Sequence, residues 1–130
     1  MSLRIYIVED EVINALALKM ELQRHGYQVC GIATHSAAAV AGVTQARPDL
    51  LLMDINLGSG PNGIETARLI VEKVPLPIIF LTGYGDPEIR RQAEALGPVA
   101  CLDKPLDFPR LLELLQVLAG QSENSLDPPQ

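Results

Sequence analysis

The chain has no tryptophan, two phenylalanines, three tyrosines and two cysteines in 130 residues. Aromatics make up 4% of the chain. A single pair of cysteines is too few for the disulfide framework that staples small secreted domains. Cys30 and Cys101 each lie inside an apolar run, Val29-Cys30-Gly31-Ile32 and Val99-Ala100-Cys101-Leu102. Both are expected to be buried free thiols in a reducing compartment. His25 and His35 stand apart from each other and from the cysteines, which excludes a Cys/His metal cluster and leaves them as surface helix-end or loop residues. There is no Lys/Arg-rich stretch, and the net charge is −6 with a pI near 4.8. That balance argues against this segment holding nucleic acid or an anionic membrane by bulk electrostatics. No apolar run approaches membrane-spanning length, and Met1-Ser2-Leu3-Arg4 leads directly into a short apolar pattern, so cytoplasm is the expected location.

What the chain does have is 48% hydrophobic residues, enough for one domain with a proper core. Five short apolar runs recur along it: 5–8, 29–33, 50–53, 78–81 and 99–102. None alternates cleanly between apolar and polar, which is the pattern of a strand covered on both faces. The segments between them read as helices over 11–25, 36–47, 63–74, 86–96 and 107–119. In the first, Val12, Leu16 and Met20 form a stripe expected to face the core, with Ile13 and Leu22 beside it. Stops and caps agree: Gly26, Pro48, Pro75, Asp86-Pro87 and Gly97-Pro98. The pattern predicts a three-layer αβα sandwich around a parallel sheet, with 1–119 as the domain. From Gly120 the composition turns polar and proline-rich, so 120–130 is expected to be a flexible tail or the start of a linker.

In an open α/β sheet ligands gather at the carboxyl ends of the strands. Here the apolar runs end in Glu9-Asp10, Asp54, Thr82-Gly83 and Asp103-Lys104-Pro105. If the strands are parallel, three carboxylates, a hydroxyl and an ammonium converge on one rim. Carboxylates so placed repel each other unless protonated or bridged by a hard divalent cation such as Mg²⁺. Lys104 and Thr82 then suit the oxygens of a phosphoryl group, Gly83 leaves room beside them, and an aspartate can itself accept phosphate as an acyl phosphate. Each residue also has an ordinary explanation: helix capping for Glu9 to Glu11, a loop bond for Asp54, a loop opening at Thr82-Gly83, a solvated charge for Lys104. The combination is more specific, because four of five strands end in the residue type this chemistry needs.

The set Val8-Glu9-Asp10-Glu11, Leu52-Met53-Asp54-Ile55, Asn62-Gly63-Ile64-Glu65, Leu81-Thr82-Gly83 and Asp103-Lys104-Pro105 resembles the response-regulator receiver domains of two-component signalling, over roughly residues 4–119. The resemblance implies a flavodoxin-like fold with five parallel strands in the order 2-1-3-4-5. It implies that Asp54 accepts phosphate from a sensor histidine kinase or phosphotransfer protein. Glu9, Asp10, Asp54 and the backbone carbonyl of Asn56 would hold Mg²⁺ (or Mn²⁺), Lys104 would pair with the phosphoryl oxygens, and Thr82 would turn inward to them. A cis Lys104–Pro105 bond is also implied. The altered surface would be the fourth helix, fifth strand and fifth helix, where Arg90, Arg91, Glu94, Asp107 and Arg110 lie. Its reader would be an output domain beyond residue 130, a separate effector, or a second copy in a homodimer.

Three features depart from that pattern. The loop 55–62 is one residue longer than is commonest and glycine-rich, and Asn62 stands where aspartate is usual. Cys101 occupies the position of an aromatic residue that normally moves with the threonine, which leaves Tyr84 as a substitute aromatic. Asn56 and Tyr84, two residues beyond Asp54 and Thr82, would tune water access to the phosphoryl group. Two other readings remain open: a receiver-like interaction module that is never phosphorylated, and an aspartyl-nucleophile phosphatase of the haloacid-dehalogenase type. The phosphatase wants a general-acid aspartate where this chain has Asn56. A flavin-binding flavodoxin is disfavoured by Glu9-Asp10-Glu11, which would repel an anionic cofactor.

Overall fold

The computed structural model describes residues 3–58, 60–83 and 86–126, and of 121–126 the backbone alone. Strands β1 (Arg4–Val8), β2 (Gln28–Ala33), β3 (Leu50–Asp54), β4 (Ile78–Thr82) and β5 (Ala100–Asp103) alternate with helices α1 (Val12–Arg24), α2 (Ser36–Ala46), α3 (Gly63–Lys73), α4 (Pro87–Glu94) and α5 (Phe108–Leu126). The sheet is wholly parallel, in the order β2-β1-β3-β4-β5. Among the described residues no helix is long and apolar enough to cross a membrane.

The unbroken apolar runs are explained by the two cores. Tyr6, Val8, Leu51, Met53, Ile78 and Phe80 face α2, α3 and α4, meeting Ala39, Val43, Ile64, Ala67, Ile70 and Ala93. The alternate residues Ile5, Ile7, Leu50, Leu52, Ile79 and Leu81 face α1 and α5, meeting Ala15, Leu22, Leu111 and Leu115. Every residue of β3 and β4 is buried, so a polar residue at a strand end is held by the layers on both sides.

Three expectations need correction. The α1 stripe does not face the core: Val12, Ile13, Leu16 and Met20 are 54%, 81%, 47% and 64% exposed. Ala15 and Leu22 are buried instead, with Leu18 half-buried against them. Those residues also follow a helical spacing, and the small Ala15 lets the helix lie close to the sheet, so periodicity alone chose the wrong face. Secondly, α5 does not end at 119 but runs to Leu126, because a helix anchored by Leu111 and Leu115 extends at low cost through residues without proline; residues 127–130 lie outside the described ones. Thirdly, Cys30 and Cys101 are free but only half-buried, since β2 and β5 are the sheet edges and lack a neighbour on one side. His25 and His35 do stand at helix ends, at the C-terminus of α1 and the N-cap of α2.

Candidate functional site

Parallel register sets the site. Val8 pairs with Met53, Asp54 with Leu81, and Thr82 with Asp103, so the ends of β1, β3, β4 and β5 share one rim. Glu9, one residue past β1, is tied by its N–H to the Ala33 carbonyl at 3.0 Å and is buried. Asp54 closes β3, and its side chain is 2% exposed. One of its carboxylate oxygens accepts the Asn56 N–H at 3.1 Å, and the other accepts Lys104 Nζ at 3.0 Å. The same ammonium lies 3.4 Å from Glu9 Oε2. Lys104 is brought there by its own N–H, which donates to the Thr82 carbonyl at 2.8 Å, and the Lys104–Pro105 bond is cis.

Carboxylate oxygens of Glu9, Asp10 and Asp54 lie within 4.8 Å of one another, Asp10 exposed and the other two buried. Such an all-oxygen set with one solvent-facing member matches the donor chemistry of a hard divalent cation, which retains water ligands. Burial, the Asp54 side-chain hydrogen bond and the Asp54 charge raise the Glu9 carboxyl from 4.5 to about 7, against the opposing pull of Lys104. Burial alone would lower Lys104, but the bonds and charges of Asp54 and Glu9 outweigh it and hold its ammonium above the ordinary value. Because the folded value of Glu9 is raised, its contribution to stability is fully present below 4.5 and is lost as pH rises through about 7. Thermal unfolding of metal-free protein should therefore move to lower temperature between about pH 5 and pH 8. Glu9→Gln should flatten that slope; an unchanged slope would assign it to other groups.

Thr82 is buried at the end of β4 and, with Ile55, Asn56, Asn62, Gly83, Asp86 and Ile89, lines a cavity of about 260 Å³ beside Asp54. A β-carbon on Gly83 would sit 3.8 Å from Lys104 Cδ, an ordinary contact, so the folded packing does not require glycine there. The long loop after Asp54 is organised by Asn56, whose side-chain oxygen accepts the Gly58 N–H at 3.1 Å. It is also held by Ile55 and Leu57, which are buried against the α3 side of the sheet. Asn62, the departure from aspartate, caps α3: its side chain accepts the Glu65 N–H at 2.9 Å and Glu65 returns a bond to the Asn62 N–H at 3.1 Å. Cys101 lies on β5 opposite Phe80, its thiol pushed up by burial. Tyr84 lies outside the described residues.

Two residues are tied to the site more closely than the sequence indicates. Gly63 belongs in sequence to the helix-opening motif Asn62-Gly63-Ile64-Glu65. Its N–H donates to the Ile55 carbonyl at 2.7 Å, and a β-carbon there would overlap the Asp54 carbonyl oxygen. The second is Arg90, which the resemblance places on the altered surface together with Arg91 and Arg110, with nothing to set it apart from them. Arg91 pairs with Glu88 and Arg110 with Glu113 along their own helices, whereas Arg90 reaches across to β5.

The fold and this rim of acidic, hydroxyl and lysine side chains define a flavodoxin-like α/β domain with an acidic site at its strand ends. The family model of the response regulator receiver domain matches residues 5–116. The chain belongs to that family and is a receiver domain of two-component signalling. It is 30% identical over 118 residues to the transcriptional regulatory protein PdtaR of Mycobacterium tuberculosis, covering 91% of this chain and 57% of that one. It is 32% identical over 106 residues to the phyllosphere-induced regulator PhyR of Methylorubrum extorquens, covering 81% and 39%. The chain thus spans about half, or less, of the length of these relatives. Among solved structures, the signal receiver domain of a modulated diguanylate cyclase from Desulfovibrio desulfuricans superposes with a TM-score of 0.85 at 30% identity, covering 96% of this chain and 99% of that one. The chemotaxis protein CheY4 of Vibrio cholerae gives 0.80 at 26% identity, covering 91% and 99%.

Proposed function

We propose that the domain is a phosphorylatable switch: Asp54 accepts a phosphoryl group from a phosphohistidine of a sensor kinase or phosphotransfer protein. The observation that carries this reading is the position of Asp54. It is a buried carboxylate between a lysine ammonium at 3.0 Å and a backbone N–H at 3.1 Å, beside two further carboxylates. In the transfer an Asp54 oxygen forms the new P–O bond, the P–N bond to the donor imidazole breaks, and an acyl phosphate results. Glu9, Asp10, Asp54 and the Asn56 carbonyl are the groups that would hold Mg²⁺ (or Mn²⁺), which when bound neutralises charge on the transferring phosphoryl oxygens. Lys104 supplies a mobile positive charge to the same oxygens, and the Thr82 hydroxyl a hydrogen bond. Asn56, two residues past Asp54, has no acidic proton to give a leaving group, which favours a regulatory acceptor over a phosphatase turning over external substrates. The domain works in the cytoplasm, and its altered α4-β5-α5 surface is read by an output domain or a separate effector.

The donor protein also needs a seat: Val12 and Ile13 open α1 just after Asp10, and the exposed Leu16 and Met20 continue the apolar stripe along the helix. A contiguous apolar patch next to a reactive group is suited to a protein partner. Ile13→Glu and Leu16→Ser are expected to slow transfer from a phosphorylated donor protein by at least about tenfold, as for loss of a central interface contact. They should leave uptake from acetyl phosphate unchanged. Equal slowing with both donors would place α1 in the chemistry instead.

The proposal as a whole is tested by incubating the chain with acetyl phosphate and Mg²⁺ and measuring intact mass, with and without EDTA. Metal-dependent gain of one phosphoryl group is expected. No gain, under conditions that label a known receiver domain, would favour an interaction module that is never phosphorylated. Multiple turnover on small phosphomonoesters would favour a phosphatase.

A further inference from the structure

Helix α4 is the most lightly anchored helix next to the site. It has eight residues, of which Ala93 alone is buried, whereas α3 buries five residues on the same side of the sheet. It has one polar attachment to the neighbouring strand, directional although solvent-facing. Arg90 donates from Nη2 to the Cys101 carbonyl at 2.9 Å and from Nη1 to Asp103 Oδ1 at 2.7 Å, while Nε holds Glu94 of its own helix at 3.2 Å. Among the described residues, the polar side-chain links from α4 to β5 all come from this one guanidinium. A planar fork that grips two acceptors fixes both distance and direction, which a lysine at the same position would not do.

The strand end it grips leads straight to the site. Asp103 pairs in register with Thr82 and immediately precedes Lys104. The Lys104 N–H is bound to the Thr82 carbonyl, and its ammonium bridges Asp54 and Glu9. Cys101, too small to swing between two packing sites as an aromatic ring would, contributes its backbone carbonyl to the grip.

We propose that Arg90 is the positioning residue through which α4 responds to the Asp54 site, its guanidinium coupling the helix to the end of β5 directly before Lys104. The inference rests on the reading of Asp54 as phosphoacceptor. When Lys104 and Thr82 re-pair with phosphoryl oxygens, the Thr82–Asp103 strand ends adjust, and the grip on Asp103 and Cys101 carries that adjustment into α4.

The test follows amide NMR of the full chain before and after acetyl phosphate with Mg²⁺, with intact mass read on the same samples. In wild type, amides of α4 (Gln92 and Ala93) shift on phosphorylation along with Lys104. Arg90→Ala should take up phosphate at a rate within about threefold of wild type, the spread of a surface substitution. Its Lys104 shift should persist while the α4 shifts fall by at least about half. Asp103→Ala, which removes one of the two β5 acceptors and leaves the Cys101 carbonyl and α4 itself intact, should lower the α4 shifts in the same direction but by less, so that simple melting of the helix is not mistaken for uncoupling. Arg90→Lys should recover only part of the response. Wild-type-sized α4 shifts in both alanine variants would overturn the inference alone, as would a fall in phosphate uptake that accounts for the smaller shifts. Absence of a phospho-adduct on wild type would overturn the Asp54 reading first, and the inference with it.

Discussion

Asp54→Asn is expected to give a folded domain that takes up no phosphoryl group. The amide oxygen can still accept the Asn56 N–H, so the loop keeps its anchor. Lys104 loses one partner but remains 32% exposed and within 3.4 Å of Glu9, so its charge is not stranded in an apolar interior. Removing the Asp54 charge also relieves Glu9, whose raised carboxyl owes part of its shift to that neighbour. These effects oppose each other, and the unfolding free energy should stay within about 1 kcal/mol of wild type. The chemistry has no such compensation: an amide is not a nucleophile toward phosphorus, and it is a poor replacement for a carboxylate toward a hard cation. Urea unfolding and intact mass on the same preparation would check both halves. Uptake by Asp54→Asn equal to wild type would identify a different acceptor.

Gly63→Ala should damage both the fold and the site. Its added carbon would overlap the Asp54 carbonyl oxygen and lie 2.7 Å from Ile55 Cα and 2.9 Å from Asp54 C. All three are backbone atoms, so no side-chain rotation relieves the contact. Either the first turn of α3 or the segment carrying Asp54 must move, and the 2.7 Å bond from Gly63 N–H to the Ile55 carbonyl is lost or stretched. A destabilisation of about 2–3 kcal/mol is expected. Phosphate uptake by the folded fraction should fall at least about tenfold, because small misplacements of a reacting group are costly. Gly120→Ala makes the matching control: nothing lies within 4 Å of the added carbon, and the residue sits in α5. It should be neutral or stabilise by about 0.5–1 kcal/mol. Equal effects at the two positions would argue that Gly63 is not a close-approach glycine.

The contrast between these glycines marks what could be read from the sequence. Continuous apolar runs identified the strands, because burial on both faces leaves no room for alternation, and the residues that end those runs identified the rim. The approach of α3 to the Asp54 backbone, by contrast, is a distance between elements far apart in the chain, and a glycine in a motif does not report what it touches. In α1 two apolar faces compete. Val12, Leu16 and Met20 carry more hydrophobic surface than Ala15, Leu18 and Leu22, yet the face with the small residue seats closer to the sheet. Arg90 looked like Arg91 and Arg110, since charge at helical spacing is common to all three; only the course of β5 separates a cross-element grip from a surface ion pair. Cys30 and Cys101 read as core residues because apolar neighbours do not reveal which strands form the edges.

The central claim, that Asp54 is the phosphoacceptor, is tested most directly by locating the phosphoryl group. The chain is treated with acetyl phosphate and Mg²⁺ and reduced with borohydride, which converts an aspartyl phosphate to homoserine, and its peptides are then sequenced by mass spectrometry. Homoserine at position 54 alone, absent when Mg²⁺ is removed before labelling, is the expected result. Homoserine at another aspartate, or none in a preparation whose companion receiver domain is labelled, would contradict it.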